Sequence, residues 1–145
     1  MFAIRPPRAE DLPALKALLD ACGLPSSDLT EAHLKHFIIL AQAGRVAGSV
    51  GIEVHGTDAL LRSLAIETML RGEGYGQRLL ELMEERARDE GVQRLFLLTD
   101  SAADFFSHQG YEPVARESVP ESIRSTAQFA GLCPASAMCL SKSLN

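Results

Sequence analysis

The chain predicts an α/β (α+β) fold, a mixed and mostly antiparallel central sheet of about six to seven strands with helices on both faces. Three observations carry that prediction. Residues 37–42, 46–55 and 59–67 read as consecutive strands joined by short turns, so they pair as an antiparallel meander. A glycine-rich turn, Arg71-Gly72-Glu73-Gly74-Tyr75-Gly76, then opens a long stretch of helical periodicity. A short, nearly all-apolar segment at residues 94–98 follows that helix, as expected where a helix crosses over to a parallel neighbour.

The elements follow in order. A first strand is predicted from Phe2 to Pro6, and Glu10 and Asp11 supply acids for a helix start. Leu12, Leu15, Leu18 and Leu19 then repeat at helical spacing until Gly23. Pro25-Ser26-Ser27-Asp28 makes a loop, and Thr30 with Glu31 begins a short helix that runs through His36. The meander turns at Ala43-Gly44-Arg45 and at Gly56-Thr57-Asp58. Beyond Gly76, Leu79, Leu80, Leu82, Met83 and Ala87 share one helical face, and Gly91 caps the helix. Asp100 to Gln109 is predicted helical, Tyr111 to Glu117 a strand, Pro120 to Ala130 a helix, and Ala137 to Lys142 a final strand.

A length of 145 residues reads as one domain, 1–145, and 46% hydrophobic residues are enough for a single core. A net charge of -5 with scattered basic residues argues against general affinity for nucleic acid. Met1 to Pro7 is too short, and too soon interrupted by Arg5 and Pro6, for a signal-peptide core, and no apolar run approaches the length of a membrane span. Cytoplasmic residence is the expectation. Cys22, Cys133 and Cys139 form no short-spaced pair, which fits free thiols in a reducing compartment, and no zinc pattern is present. No metal is expected.

A glycine-rich turn that opens a helix after a strand lets backbone amides approach a phosphate with no side chains in the way. The same spacing also occurs in turns that bind nothing. The three-glycine Rossmann fingerprint and the Gly-Lys-Ser/Thr ending of the Walker loop are both missing.

The turn does resemble the pyrophosphate loop of the GNAT acyltransferases: Gln or Arg, two residues, Gly, one residue, then Gly or Ala. Arg71, Gly74 and Gly76 fill that pattern. The resemblance extends to the preceding strand end Leu64-Ala65-Ile66, to Leu95-Phe96-Leu97-Leu98, and to the segment from Ala102 to Tyr111, which is similar to the family's A-x-x-F-Y-x-x-x-G-F ending. A narrower resemblance points to the subgroup called arsenic-resistance N-acetyltransferases. It is carried by Gly23-Leu24-Pro25, Leu60-Leu61-Arg62-Ser63-Leu64-Ala65, Leu97-Leu98-Thr99 and the tail from Phe129 to Ala137.

The resemblance implies the GNAT fold, in which the strand before the loop and the strand after its helix splay apart and the pantetheine arm of acetyl-CoA enters the wedge. It implies that the backbone of Leu64, Ala65 and Ile66 contacts pantetheine and that an amide of Ala65 or Ile66 polarises the thioester carbonyl. It places Arg71, Gly72, Gly74, Tyr75 and Gly76 around the pyrophosphate, and Thr99, Ala102 and Phe106 beside the cofactor. Leu64 and Ile66 also read as core, and both readings can hold together; the other reading of Arg71 is a solvated turn arginine. Glu73 is expected to point outward.

Two positions depart from the family. Its Phe-Tyr pair is Phe105-Phe106 here, and a phenyl ring has no proton to give a departing thiolate. Thr99 stands where Asn is frequent.

The expected reaction is acetyl-CoA-dependent N-acetylation of a small polar amine, rather than of a protein, with a detoxification or resistance role suggested by the subgroup. An amine acceptor must lose a proton, and Glu53, interrupting the apolar run around Val50 and Val54, is the leading base. It equally reads as a strand carboxylate paired with Arg62; His55, His33 and His36 are weaker choices. Arg62 and Arg124 could hold a carboxylate or another oxyanion of the acceptor, or form ordinary salt bridges. The long link from Ser118 to Ser136 adds Thr126, Gln128 and Cys133. Converging thiolates would bind arsenic(III), but a buried small hydrophobe is the commoner fate of a free cysteine. The apolar strand Ala137-Met138-Cys139-Leu140 could support a homodimer or complete the core. A non-catalytic acyl-CoA-binding sensor or scaffold is the competing class.

Overall fold

The computed structural model describes residues 2–144. Its strands are β1 (Ala3–Arg5), β2 (Phe37–Gln42), β3 (Arg45–His55), β4 (Asp58–Ile66), β5 (Arg94–Thr99), β6 (Glu112–Pro113) and β7 (Met138–Ser143). Its helices are α1 (Leu12–Ala21), α2 (Tyr75–Asp89), α3 (Ala103–His108) and α4 (Glu121–Arg124). The strands form one seven-stranded sheet in the order β1-β2-β3-β4-β5-β7-β6, mostly antiparallel, with β4 and β5 parallel. The mixed fold expected from the sequence is the fold observed. No helix among the described residues is long and apolar enough to cross a membrane. The chain divides into two units, residues 2–52 with 63–85 and residues 53–62 with 86–144.

In the first unit, the leucine stripe of α1 buries Leu15, Leu18 and Leu19 against Leu34, Phe37, Ile39, Val46 and Ala65. The helix ends in a Schellman pattern, the Gly23 amide donating to Asp20 and the Leu24 amide to Leu19, with Leu24 packed on the same cluster. The predicted helix before β2 is a tight 3₁₀ helix, Glu31–His36. Phe37 pairs across the strands with Gly51, and a Cβ at Gly51 would stand 2.3 Å from the Phe37 ring, so only glycine admits that ring.

Asp11, buried at the start of α1, accepts from the Arg5 guanidinium at 2.9 and 3.2 Å and from the Arg8 amide at 2.7 Å. The hydrogen bond from Arg5, opposed by burial and helped by the Arg8 amide, holds its carboxyl below the ordinary value of 3.8. A carboxyl whose folded-state pKa is depressed stabilises the fold above its unfolded pKa and loses that contribution as pH falls toward the folded value. Asp11→Asn is expected to lower stability by about 1–2 kcal/mol at neutral pH. Urea unfolding of both proteins should show that gap narrowing below about pH 4; a gap independent of pH would deny the carboxylate its charge-dependent part.

In the second unit, β5 pairs with β7 from Arg94↔Ser143 to Thr99↔Met138, and with the first part of β4 at Asp58↔Arg94, Ala59↔Leu95 and Leu60↔Phe96. Its core joins Leu60, Phe96, Val119, Ile123 and Cys139. Burial pushes the Cys139 thiol up to about 11, against a small opposing effect of Arg116, so it is a protonated packing group at neutral pH.

Two expected elements differ here. The strand predicted from Tyr111 to Glu117 is only Glu112–Pro113, because Pro113 has no amide for a ladder and Arg116–Ser118 turns into a 3₁₀ helix. The helix predicted from Pro120 to Ala130 stops at Arg124. Thr126 donates its hydroxyl to the Ile123 carbonyl at 2.7 Å, a local bond that competes with helix continuation, and a kinked turn at Gln128–Leu132 follows.

Candidate active site

The first unit holds the glycine loop. Gly72 and Gly74 both adopt φ +85°, the left-handed region, and no atom lies within 4 Å of the place a Cβ would occupy at either. A side chain at these positions would strain the backbone and fill that open space. Helix α2 starts at Tyr75, and Arg78 donates to Gly74 to close its first turn at 3.0 Å. The amides of that first turn have no acceptor within the helix, and the dipole leaves partial positive charge there. Arg71 donates through Nε to the Ile66 carbonyl at 3.0 Å and places Nη2 3.6 Å from Cys22 Sγ. Glu73 is exposed. Tyr75 meets Phe2 edge-on at 6.1 Å between ring centroids.

Leu64, Ala65 and Ile66 end β4, separated from this loop by Glu67 and a 3₁₀ turn at Thr68–Leu70, with Ala65 and Ile66 buried. Ser63, just ahead of them, has φ +60° inside a strand. A non-glycine residue in that region costs about 1–2 kcal/mol, so something must hold it. The Ser49 hydroxyl donates to the Ser63 carbonyl at 2.7 Å, and both residues are buried. Beyond the segment, the Glu67 amide donates to the Ala47 carbonyl at 2.9 Å, and the Glu67 carboxylate pairs with Arg45. That pairing holds the Glu67 carboxyl below its ordinary value, the hydrogen bond from Arg45 being the main cause.

The second unit holds the ionisable candidates. Glu53 accepts from Arg62 Nη1 at 2.8 Å, with the Arg62 side chain fully buried and the Glu53 side chain 18% exposed. In the amide orientation that satisfies both groups, Gln128 accepts from Arg62 Nε and Nη2 at 3.2 Å each. A buried guanidinium needs such partners, because removing it from water is costly. Of the two sequence readings of Glu53, the pairing with Arg62 is the one observed, and its carboxylate keeps some contact with solvent. Arg124 is exposed and donates through Nε to the Val119 carbonyl at 2.9 Å. Thr99 accepts the Ala102 amide at 3.0 Å, which sets the start of α3. Phe106 is buried, edge-on to Phe105 at 5.2 Å and to Tyr111 at 5.5 Å.

Three features escaped the sequence reading. Ser49 and the left-handed Ser63 carried one local signal, the small run Ala47-Gly48-Ser49 inside an otherwise Val- and Ile-rich strand. The closure of Gln128 over Arg62 had no signal, since the two are far apart in sequence. The contact of Arg71 with Cys22 had none either.

Comparison with known proteins bears on this arrangement. A family model described as an acetyltransferase (GNAT) domain matches residues 33–113. An amino-acid acetyltransferase of Neisseria meningitidis serogroup A is 28% identical over 130 residues, covering 84% of this chain and 30% of that protein. An amino-acid acetyltransferase of Pseudomonas fluorescens is 32% identical over 106 residues, covering 72% of this chain and 24% of that protein. The structure of N-acetylglutamate synthase from Neisseria gonorrhoeae, complexed with coenzyme A and N-acetyl-glutamate, superposes with a TM-score of 0.84 at 25% identity, covering 100% of this chain and 35% of that one. The chain thus spans only 24 to 35% of the length of these three relatives.

Proposed function

The chain belongs to the GNAT acetyltransferase family, and on that premise we propose that it transfers the acetyl group of acetyl-CoA to the amine of an amino-acid acceptor by direct attack on the thioester. The observation that carries this reading is the loop of residues 71–76, where two left-handed glycines leave open space beside the first turn of α2. A pyrophosphate fits a cradle from which Cβ atoms are missing, with amides of Gly74, Tyr75 and Gly76 as its donors. Arg71, anchored through Nε, keeps other guanidinium hydrogens for a phosphate oxygen.

Acetyl-CoA, when bound, supplies the activated acetyl group. An amide of Ala65 or Ile66 stands to the thioester oxygen as a donor, a contribution of about 3 kcal/mol to the barrier for one well-placed group. Glu53 takes the proton of the attacking amine. Arg62, buried and held by Glu53 and Gln128, keeps that carboxylate in place, while exposed Arg124 is assigned to the acceptor's own carboxylate. Thr99, Ala102 and Phe106 are kept as cofactor neighbours. Phe106 donates no proton, and with a thiol pKa of about 8.5 the departing thiolate leaves without that help.

An amino acid is the acceptor favoured by the names of the relatives, which include amino-acid acetyltransferases. The resemblance to the arsenic-resistance subgroup rests on its short segments, and a resistance role would call for an acceptor carrying a phosphinate or arsinate. Thiol release from acetyl-CoA, followed over a panel of amino acids, their phosphinate and arsinate analogues and simple amines, separates these readings. Turnover with amino acids and none with amines lacking an anionic group is expected. Tight acetyl-CoA binding with no turnover on any amine would overturn the enzyme in favour of an acyl-CoA-binding module.

A further inference from the structure

We propose that Ser49 is a positioning residue for acetyl transfer, holding Ser63 in its left-handed conformation so that the amide of Ala65 or Ile66 faces the thioester. The inference rests on the acetyl-transfer reading and adds to it the device that aims its backbone donors.

The argument starts from one carbonyl. A left-handed residue inside a strand turns its carbonyl away from the direction of the ladder and shifts the alternation of everything after it, as a bulge does. Ser63 does this at φ +60°, and its carbonyl is taken by the Ser49 hydroxyl at 2.7 Å. Ser49 is 0% exposed, so water cannot replace its hydroxyl as donor. The neighbouring residue, Gly48, adds a second constraint. A Cβ there would lie 2.9 Å from Ile66 Cδ1 and 3.3 Å from the Ala65 carbonyl oxygen, so β4 approaches β3 at this point as closely as backbone permits. The far end of the segment is pinned by the Glu67 amide on the Ala47 carbonyl at 2.9 Å. Three consecutive residues of β3, Ala47, Gly48 and Ser49, therefore fix both ends and the flank of Leu64–Ile66.

Loss of the Ser49 hydroxyl removes the hold on the Ser63 carbonyl, and a return of Ser63 to extended geometry would rotate the amides that follow. The glycine loop lies beyond the Glu67 anchor and touches the segment at Ile66, whose carbonyl accepts from Arg71 Nε at 3.0 Å. Loss of Ser49 therefore lowers kcat more than it lowers cofactor affinity, because most of the proposed phosphate contacts lie in the glycine loop. A hydroxyl that merely satisfied a buried carbonyl would lower thermal stability and leave the turnover of folded protein unchanged.

The test is Ser49→Ala, alone and combined with Ser63→Gly, measured well below the melting temperature. Ser49→Ala should lower kcat by about tenfold to a hundredfold, as for misalignment of a backbone donor, while calorimetric acetyl-CoA affinity stays within about threefold. Glycine adopts the left-handed conformation without penalty, so Ser63→Gly should restore much of the lost kcat in the double variant. An unchanged kcat in Ser49→Ala, or no rescue by Ser63→Gly, overturns the proposal. If the parent itself shows no turnover, the acetyl-transfer reading fails separately. The positioning claim is then decided by nitrogen-15 NMR: acetyl-CoA should shift the Ala65 and Ile66 amides in the parent and not in Ser49→Ala, and equal shifts in both overturn it.

Discussion

Gly74→Glu should bind acetyl-CoA about a hundredfold more weakly than the parent, with its melting temperature little changed. Two effects combine. Gly74 sits at φ +85°, where a residue with a Cβ costs about 1–2 kcal/mol, so the loop tends to leave the conformation that points its amides outward. The new side chain also enters open space, where no atom approaches within 4 Å, and brings a negative charge to the place assigned to the pyrophosphate. Two like charges about 5 Å apart repel by about 3 kcal/mol at an effective dielectric of about 20, and solvent around this exposed loop reduces that figure. Together the terms leave about 3 kcal/mol, which is the hundredfold loss. Gly74→Ala carries the backbone term alone and should lose about tenfold. Calorimetric titration of the three proteins checks the order. Equal affinity in parent and Gly74→Glu would place the phosphates elsewhere and remove the observation on which the proposed function stands.

Glu53→Gln should lower kcat by about a hundredfold or more, the usual contribution of a positioned general base. The substitution preserves shape and a carbonyl oxygen for Arg62 Nη1, which now stands 2.8 Å from the carboxylate. It removes the negative charge and the capacity to accept a proton. Activity of the variant should recover as pH rises, because deprotonation of the acceptor amine in solution replaces the missing step. Stability should fall as well, by about 1–3 kcal/mol, since a fully buried guanidinium loses the anionic partner at its Nη1. The two readouts separate the roles of Glu53. A variant that is less stable but turns over normally below its melting temperature would make Glu53 the counter-ion of Arg62 and nothing more.

Much of the fold was legible because its signals are local. β2 falls at residues 37–42 as predicted, and α2 follows its apolar stripe from Tyr75 to Asp89. The glycine loop was legible for the same reason, since left-handed geometry at Gly72 and Gly74 follows from residue type and position between a strand and a helix. The region after Tyr111 was harder. Its helical pattern from Pro120 to Ala130 was interrupted by Thr126, whose hydroxyl takes a carbonyl that helix continuation would have used, and by Gln128, drawn to a charge on β4.

The order of elements, the helix stripes and the position of the glycine loop were determined by the sequence itself, because periodicity, capping and left-handed turns depend on neighbours a few residues away. Tertiary structure alone decided that Ser63 is left-handed, that Ser49 holds its carbonyl, and that Arg62 is buried between Glu53 and Gln128. Serine prefers extended geometry in a strand, and a lone arginine prefers water; each accepts its costly state only because a partner distant in the chain satisfies the groups that burial would leave unpaired.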